Sequence, residues 1–330
     1  MSQPLASDSA PERASLRARL FALAGPFMGL LVVVVLFALL EPDSFLTVYN
    51  FQTIAAQTVI VGLGALGMTF VIVSGGIDLS VGAGIALASV ITALLLQQGS
   101  SALIASLCGV AAGTALGLVN GALITRLSVV PFIVTLGSMG VARGLAKYLA
   151  HEQKVDAPAG ALADVMAKAP TPPWLLVAPG TWLLLSLAAF MAFVLRRSVF
   201  GLHVYAIGSN EATARLCGVR VTRVKLAIYA VAGAFAGLAG VLQFARLTVG
   251  DPTTALGKEL DVIAAVVIGG ASLSGGVGGI LGSMLGAFLM SVLANGCTLT
   301  GVPNYVQEIL IGAIIVAAVA IDRLRHSGDS

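Results

Sequence analysis

The chain has 330 residues, of which 58% are apolar and only 10% charged, and its formal net charge is +3. A soluble domain carries about 25% charged residues, so a water-soluble fold of this composition could not cover its own surface. Apolar runs of roughly twenty residues recur along the whole length, each enough to cross a hydrocarbon core as a helix, and they lack the apolar–polar alternation of a transmembrane barrel.

Backbone groups in lipid must be bonded within the chain, so these runs are expected to be helical. The fold class expected is all-α: a polytopic membrane protein of about ten transmembrane helices. Residues 1–20 are polar and place Arg13, Arg17 and Arg19 ahead of the first apolar run. That run is longer than a signal-peptide core and ends on no small-residue cleavage site, so it reads as a retained anchor. Helices are expected over 21–40, 53–73, 80–97, 101–124, 129–150, 174–195, 224–245, 259–270, 279–296 and 304–321. The eighth is short enough to predict a broken or re-entrant helix. Turn chemistry separates the spans at Glu41-Pro42-Asp43-Ser44, Gln97-Gln98-Gly99-Ser100, Pro170-Thr171-Pro172-Pro173 and Gly250-Asp251-Pro252.

Ten crossings with the N-terminus inside give a cytoplasmic tail 1–20, a transmembrane domain 21–321 with a cytoplasmic loop 196–223, and a cytoplasmic tail 322–330. The inner segments then hold Arg13, Arg17, Arg19, Arg126, Arg196, Arg197, Arg215, Arg220, Arg223, Lys225, Arg323 and Arg325. The outer side holds Arg143, Lys147, Lys154, Lys168, Arg246 and Lys258. This bias obeys the positive-inside rule, and the reversed topology violates it.

A weak repeat marks the two halves. Gly75-Gly76-Ile77-Asp78-Leu79-Ser80-Val81-Gly82-Ala83-Gly84 and Gly269-Gly270-Ala271-Ser272-Leu273-Ser274-Gly275-Gly276-Val277-Gly278 both read G-G-x-x-L-S-x-G-x-G. Each joint alone is as well explained by close helix packing on small residues. Two joints sharing six positions point instead to a transport path between related halves, with Gly75, Gly76, Asp78, Ser80, Gly269, Gly270 and Ser274 at a bend or half-helix end. Asp78 is expected to accept backbone N–H groups at the start of the helix that follows.

In the loop 196–223, Ser209 or Asn210 can cap a short helix, Glu211 suits its positive end, and Gly218 suits the left-handed C′ position. Two turns are unstable alone. Gly208, Asn210, Glu211, Ala212, Ala214 and Gly218 are therefore expected to form a docking element, against the plainer reading of a charged loop.

Several chemistries are missing. No G-x-x-x-x-G-K-[ST] cradle occurs. The histidines His151, His203 and His326 and the cysteines Cys108, Cys217 and Cys297 form no metal or disulfide spacing. No catalytic constellation is visible, and no cofactor bound by this chain, no metal and no nucleic-acid partner is expected. Asp78, Asp261 and Glu308 fall near span ends rather than at span centres, which argues against an ion-coupled carrier; no filter-like motif supports a channel. A neutral polar solute fits better, with Gln57, Asn120 and Gln243 as contacts or, equally, as interhelical glue.

The joint at 75–82, the loop from Gly208 to Val219 and the stretch Val267–Gly276 together resemble the permease subunits of ribose-type sugar ABC importers, over roughly 20–322. Cys217 and Val219 depart mildly from that family's usual serine and isoleucine. The resemblance implies a type II importer-like permease, coupled through 208–218 to a separate ABC ATPase that uses the ATP. It also implies a periplasmic solute-binding protein, a second permease copy (identical or related) and a place in the bacterial inner membrane. Branched-chain amino-acid and nucleoside permeases look similar, and a secondary carrier acting alone is the rival from another class.

Overall fold

The computed structural model describes residues 16–168, 170 and 172–327. Arg13 lies outside the described residues, as do the side chains of Arg17, Arg19, Arg323, Arg325 and His326. Thirteen of the elements among the described residues matter here: α1 (Leu16–Leu40), α2 (Pro42–Phe45), α3 (Val48–Val73), α4 (Val81–Gln97), α5 (Ala102–Leu127), α6 (Pro131–Leu149), α7 (Ala161–Val165), α8 (Pro179–Arg197), α9 (Val199–Ser209), α10 (Glu211–Leu216), α11 (Val221–Leu247), α12 (Lys258–Ile268) and α13 (Ile280–Leu299). A last helix, α14 (Asn304–Ser327), and a two-residue antiparallel ladder, β1 (Val155–Asp156) with β2 (Val249–Gly250), complete them.

Each of the ten expected spans coincides with a helix. Among the described residues α3, α5, α8, α11 and α13 are both long and apolar enough to cross a membrane. The expected short eighth span is α12, whose 11 residues rise only about 16 Å. One helix departs from the sequence expectation: α9 occupies Val199–Ser209, within the loop expected over 196–223. Its start is capped by Ser198, whose hydroxyl accepts from Gly201 N at 3.0 Å.

The core is organised around α3. In its most apolar stretch 94% of the residues are buried inside the protein, so this helix sees side chains on every face. It packs on α11, α13, α12 and α8. In contrast, α1, α5, α6 and α8 turn large apolar side chains outward, among them Leu39, Leu103, Val141 and Phe193. In water that pattern would aggregate; against lipid tails it is the expected surface.

Small residues set the closest approach. Helices α5 and α11 meet through Gly113 and Gly117 on one side and Gly233 and Gly237 on the other, backbone against backbone. A side chain at Gly117 would run into the Tyr229 carbonyl. Without a hydrophobic drive between helices in lipid, such van der Waals contact is what holds them together.

Helix directions follow from contacts at the ends. Gln52 Nε2 donates to the Leu176 carbonyl at 2.8 Å, placing the starts of α3 and α8 together. Tyr205 Oη donates to the Gly278 carbonyl at 2.8 Å, placing the end of α8 and α9 beside the start of α13. At the opposite end, the ladder fixes Val155 against Gly250.

Gly117→Leu should cost at least the 1–3 kcal/mol typical of an overpacked core, read as a lower melting midpoint of the detergent-solubilised protein. Gly144→Ala, at a position with open space around it, should leave that midpoint unchanged. Equal midpoints for the two variants would remove close α5–α11 contact as a determinant of stability.

Candidate translocation and coupling site

The first glycine joint begins as a helix C-terminus. Gly75 N donates to the Ile72 carbonyl and Gly76 N to the Val71 carbonyl, both at 2.9 Å, and Gly75 takes φ +79°. That is a Schellman closure, which needs a left-handed residue after the helix and so favours glycine. The second joint closes the same way: Gly270 N bonds the Val267 carbonyl at 2.9 Å, Ala271 N bonds the Val266 carbonyl at 3.1 Å, and Gly270 has φ +90°. The structural repeat is therefore one residue out of step with the sequence repeat, since Gly75 corresponds in conformation to Gly270 rather than Gly269.

Beyond the glycines the two joints return to register. Asp78 Oδ1 accepts from Ser80 N at 2.8 Å and from Ser80 Oγ at 2.6 Å. Ser272 Oγ accepts from Ser274 N at 3.2 Å. Asp78 is buried, and the carboxylate closes the turn into α4 as expected. From there a polar chain crosses the bundle. Asn120 Nδ2 donates to Ser80 Oγ at 2.9 Å, and Ser138 Oγ donates to Asn120 Oδ1. Asn120 is fully buried within this chain, so it ties α5 and α6 to the joint.

The joints are not separate. Gly276 N, in the second, donates to the Val73 carbonyl at the end of α3 at 2.8 Å. Gly208, near the end of α9, is wedged against that same carbonyl and against Gly276 N, so closely that any Cβ there would collide with backbone. Gly275 packs on the Gly208 carbonyl and on Gly75 Cα. Three chain segments thus meet backbone to backbone.

Directly after Gly208 comes α10. Asn210 Oδ1 caps it by accepting from Thr213 N at 2.9 Å, and a third Schellman closure ends it, with Gly218 N on Arg215 O and Val219 N on Ala214 O. Glu211 is held by Arg215 at 3.0 Å and by Lys225 at 2.6 Å. The Lys225 hydrogen bond, aided by Arg215 and opposed by partial burial, holds the Glu211 carboxyl below its usual range. A lowered carboxylate value means that this anchor is intact at neutral pH and is lost only as acid drives the pH down through the lowered value.

One expectation about α10 changes. Ala214 is only 5% exposed and belongs to the protein's own core, so it packs inward rather than into a partner. Ala212 and Leu216 face outward, and Leu216 is 89% exposed. Sequence reasoning missed Leu216 because a leucine in a short amphipathic helix reads first as the buried face.

At the other end of the core lies a polar cavity of about 230 Å³. Gln57 from α3, Gln243 from α11, Asp261 from α12, Ser291 and Thr298 from α13, and Gln307 from α14 line it. Lys258 Nζ bonds Asp261 at 2.5 Å and Gln243 Nε2 donates to Thr254 Oγ1 at 2.9 Å. Arg143 reaches over from α6 to the carbonyls of Pro252 and Thr254 at 3.0 and 2.7 Å, fixing the loop that closes the cavity. Gln57 and Gln243 are brought together; Asn120 is not among the lining residues. Among the described residues no cluster of His, Cys, Asp and Glu could hold a metal ion.

The family described as branched-chain amino acid transport system / permease component matches residues 50–319. The chain belongs to that family. The permease is 41% identical over 304 residues to the ribose import permease protein RbsC of Bacillus subtilis (strain 168), covering 92% of this chain and 93% of that one. It is 35% identical over 304 residues to the L-arabinose ABC transporter permease protein AraH of Azospirillum brasilense, covering 92% and 88%. To the D-allose transport system permease protein AlsC of Escherichia coli (strain K12) it is 34% identical over 305 residues, covering 91% of each. No solved structure matches the chain. The permease is thus a multi-pass inner-membrane protein of the transporter class.

Because a single oxygen of Asp78 serves both Ser80 donors, an amide should replace it better than a methyl group. Asp78→Ala leaves two buried donors unmatched, a loss of about 1–3 kcal/mol, and should cut solute uptake roughly tenfold with normal membrane insertion. Asp78→Asn should stay within about threefold of the unaltered permease. Uptake by Asp78→Ala at the unaltered rate would make this residue a passive turn.

Proposed function

We propose that this chain is the membrane-spanning subunit of an ATP-binding cassette importer for a monosaccharide, with both termini and the loop 196–223 in the cytoplasm. The relatives are permeases whose names give ribose, arabinose and allose, three neutral sugars. The cavity suits that class. Its amides and hydroxyls, with the Arg246 guanidinium in the same wall, can hydrogen-bond an uncharged polyol, and its buried carboxylate is already matched by Lys258.

The observation that carries the mechanism is the shared seat of Gly208, Val73 and Gly276. Helix α3 ends at that seat and carries Gln57; α12 runs from Asp261 in the cavity wall to the second joint; α13 leaves that joint and carries Ser291 and Thr298. A push on α10 therefore reaches three walls of the cavity through rigid helices, without passing through a flexible loop. An ATPase subunit that binds and hydrolyses the ATP presses on Ala212 and Leu216. A periplasmic binding protein delivers the solute to the opposite end, and a second permease copy, identical or related, completes the pathway. Arg126, Arg196, Arg197, Arg215, Arg220, Arg223 and Lys225 all belong to segments at the joint end, which supports its cytoplasmic placement.

The test is uptake of labelled ribose, arabinose, allose, leucine and a nucleoside into vesicles holding permease, ATPase and binding protein. ATP should drive accumulation of one or more of the sugars, and permease alone should accumulate none. Gln57→Ala with Gln243→Ala should lower uptake about tenfold or more, the loss of two hydrogen bonds of about 1 kcal/mol each, while binding-protein-stimulated ATP hydrolysis persists. Leu216→Glu should abolish copurification of the ATPase with normal insertion. Leucine uptake without sugar uptake would overturn the sugar assignment; uptake driven by a proton gradient without ATPase would overturn the importer.

A further inference from the structure

We propose that the permease holds one anionic phospholipid in a groove beside α8, with an acyl chain between α1 and α13 and the phosphate on Arg196 and Arg197. Two adjoining cavities carry the inference. The first, of about 650 Å³, lies between α1, α3, α8 and α13 and is lined almost wholly by apolar side chains. It runs from Phe51 and Trp182, where α3 and α8 begin, past Phe27 and Phe288 to Leu281, in the first turn of α13. On α8 it touches only the first two turns, Thr181 to Leu185, and on α13 it follows Leu281 to Phe288. The apolar stretch along α13 that ends at Leu281 suits one acyl chain of the cytoplasmic leaflet.

The second cavity, of about 620 Å³, begins at the same Leu281. Its walls are Arg196, Arg197 and Tyr205 with the backbone of Gly269, Gly270, Gly278 and Gly279. No carboxylate lines it, and among the described residues neither arginine takes part in an ion pair. An apolar channel that opens onto two unpaired guanidiniums at the membrane surface is complementary to a molecule with a long tail and an anionic head. Free phosphate would leave the channel empty, and a zwitterionic lipid would bring its own cation to the arginines. Guanidinium pairs with phosphate through parallel N–H···O bonds, and basic pockets between helices on the cytoplasmic side select anionic headgroups.

The position gives the lipid a role. The headgroup would lie beside the Tyr205–Gly278 hydrogen bond, bracing the end of α8 against the second joint. Occupancy would stiffen the path from α10 to α13.

Native mass spectrometry of delipidated, detergent-solubilised permease titrated with phosphatidylglycerol or phosphatidylcholine tests this directly. One phosphatidylglycerol should be retained about thirtyfold more tightly than phosphatidylcholine, the worth of two arginines at a lipid phosphate. Arg196→Gln with Arg197→Gln should abolish the preference, whereas Arg220→Gln with Arg223→Gln, neutralising the same number of charges at the same end, should keep it. Leu281→Trp, which fills the junction and leaves both arginines, should also lose retention and guards against misfolding of the double variant. Equal retention of the two lipids overturns the proposal. So does equal loss in the two arginine pairs, which would mark a diffuse surface effect, or displacement by millimolar inorganic phosphate. Crosslinking of a cysteine at Leu285 to a second permease copy would show that protein fills the groove and would equally overturn it.

Discussion

The hydrogen bond from Gly276 N–H to the Val73 carbonyl is the contact on which the rest of this molecule leans. The last carbonyls of a helix have no partner within it, and inside a membrane an unmatched one costs several kcal/mol. The end of α3 meets that demand by local closure at Gly75 and Gly76 and by borrowing a donor from a segment some two hundred positions later in the chain. The borrowed donor ties the two halves together where both turn back. Gly208 is packed against the same carbonyl, so the segment leading into α10 cannot move without displacing one half against the other. Any movement of that segment is borne by the same few atoms that hold the two halves together.

Much of this was legible in the sequence because lipid narrows the options. Runs such as 53–73 and 279–296 had to be helices, and the turn residues between them located the ends to within a few positions. Gly218 was readable as a left-handed C′ residue, because a capping asparagine and an acidic first turn preceded it at helical spacing. Asp78 was readable as a carboxylate that accepts backbone N–H groups, since it stands just before the apolar run of the next helix. The G-G-x-x-L-S-x-G-x-G repeat located both joints.

What stayed hidden was decided by tertiary packing. The segment Val199–Ser209 falls between two membrane-length apolar runs, inside the expected loop 196–223; packing on α8 and α10 makes it helix. Gly75 and Gly270 share a conformation although the sequence aligns Gly75 with Gly269, because helix α12 ends one residue later relative to its motif than α3 does. Ala214 turns inward and Leu216, not singled out in the sequence, turns outward, since two turns of helix give too few residues to tell the inner face from the outer. The cavity draws on five helices, and only Gln57 and Gln243 stood out as polar residues within apolar runs. Nothing in the spacing of Asp261, Ser291 and Gln307 says that they share a wall.

The small ladder at the far end has a consequence of its own. Val155 pairs with Gly250, Lys154 reaches Asp251 at 3.6 Å, and Thr254, three residues on, holds Gln243 in the cavity. The segment 154–156 and the ceiling of the cavity are therefore joined directly. Whatever binds that segment has its hand on the door latch and can reset the chamber without any signal from the joint end. Only a push arriving at α10 has to travel the length of α3 and α13 to reach the chamber.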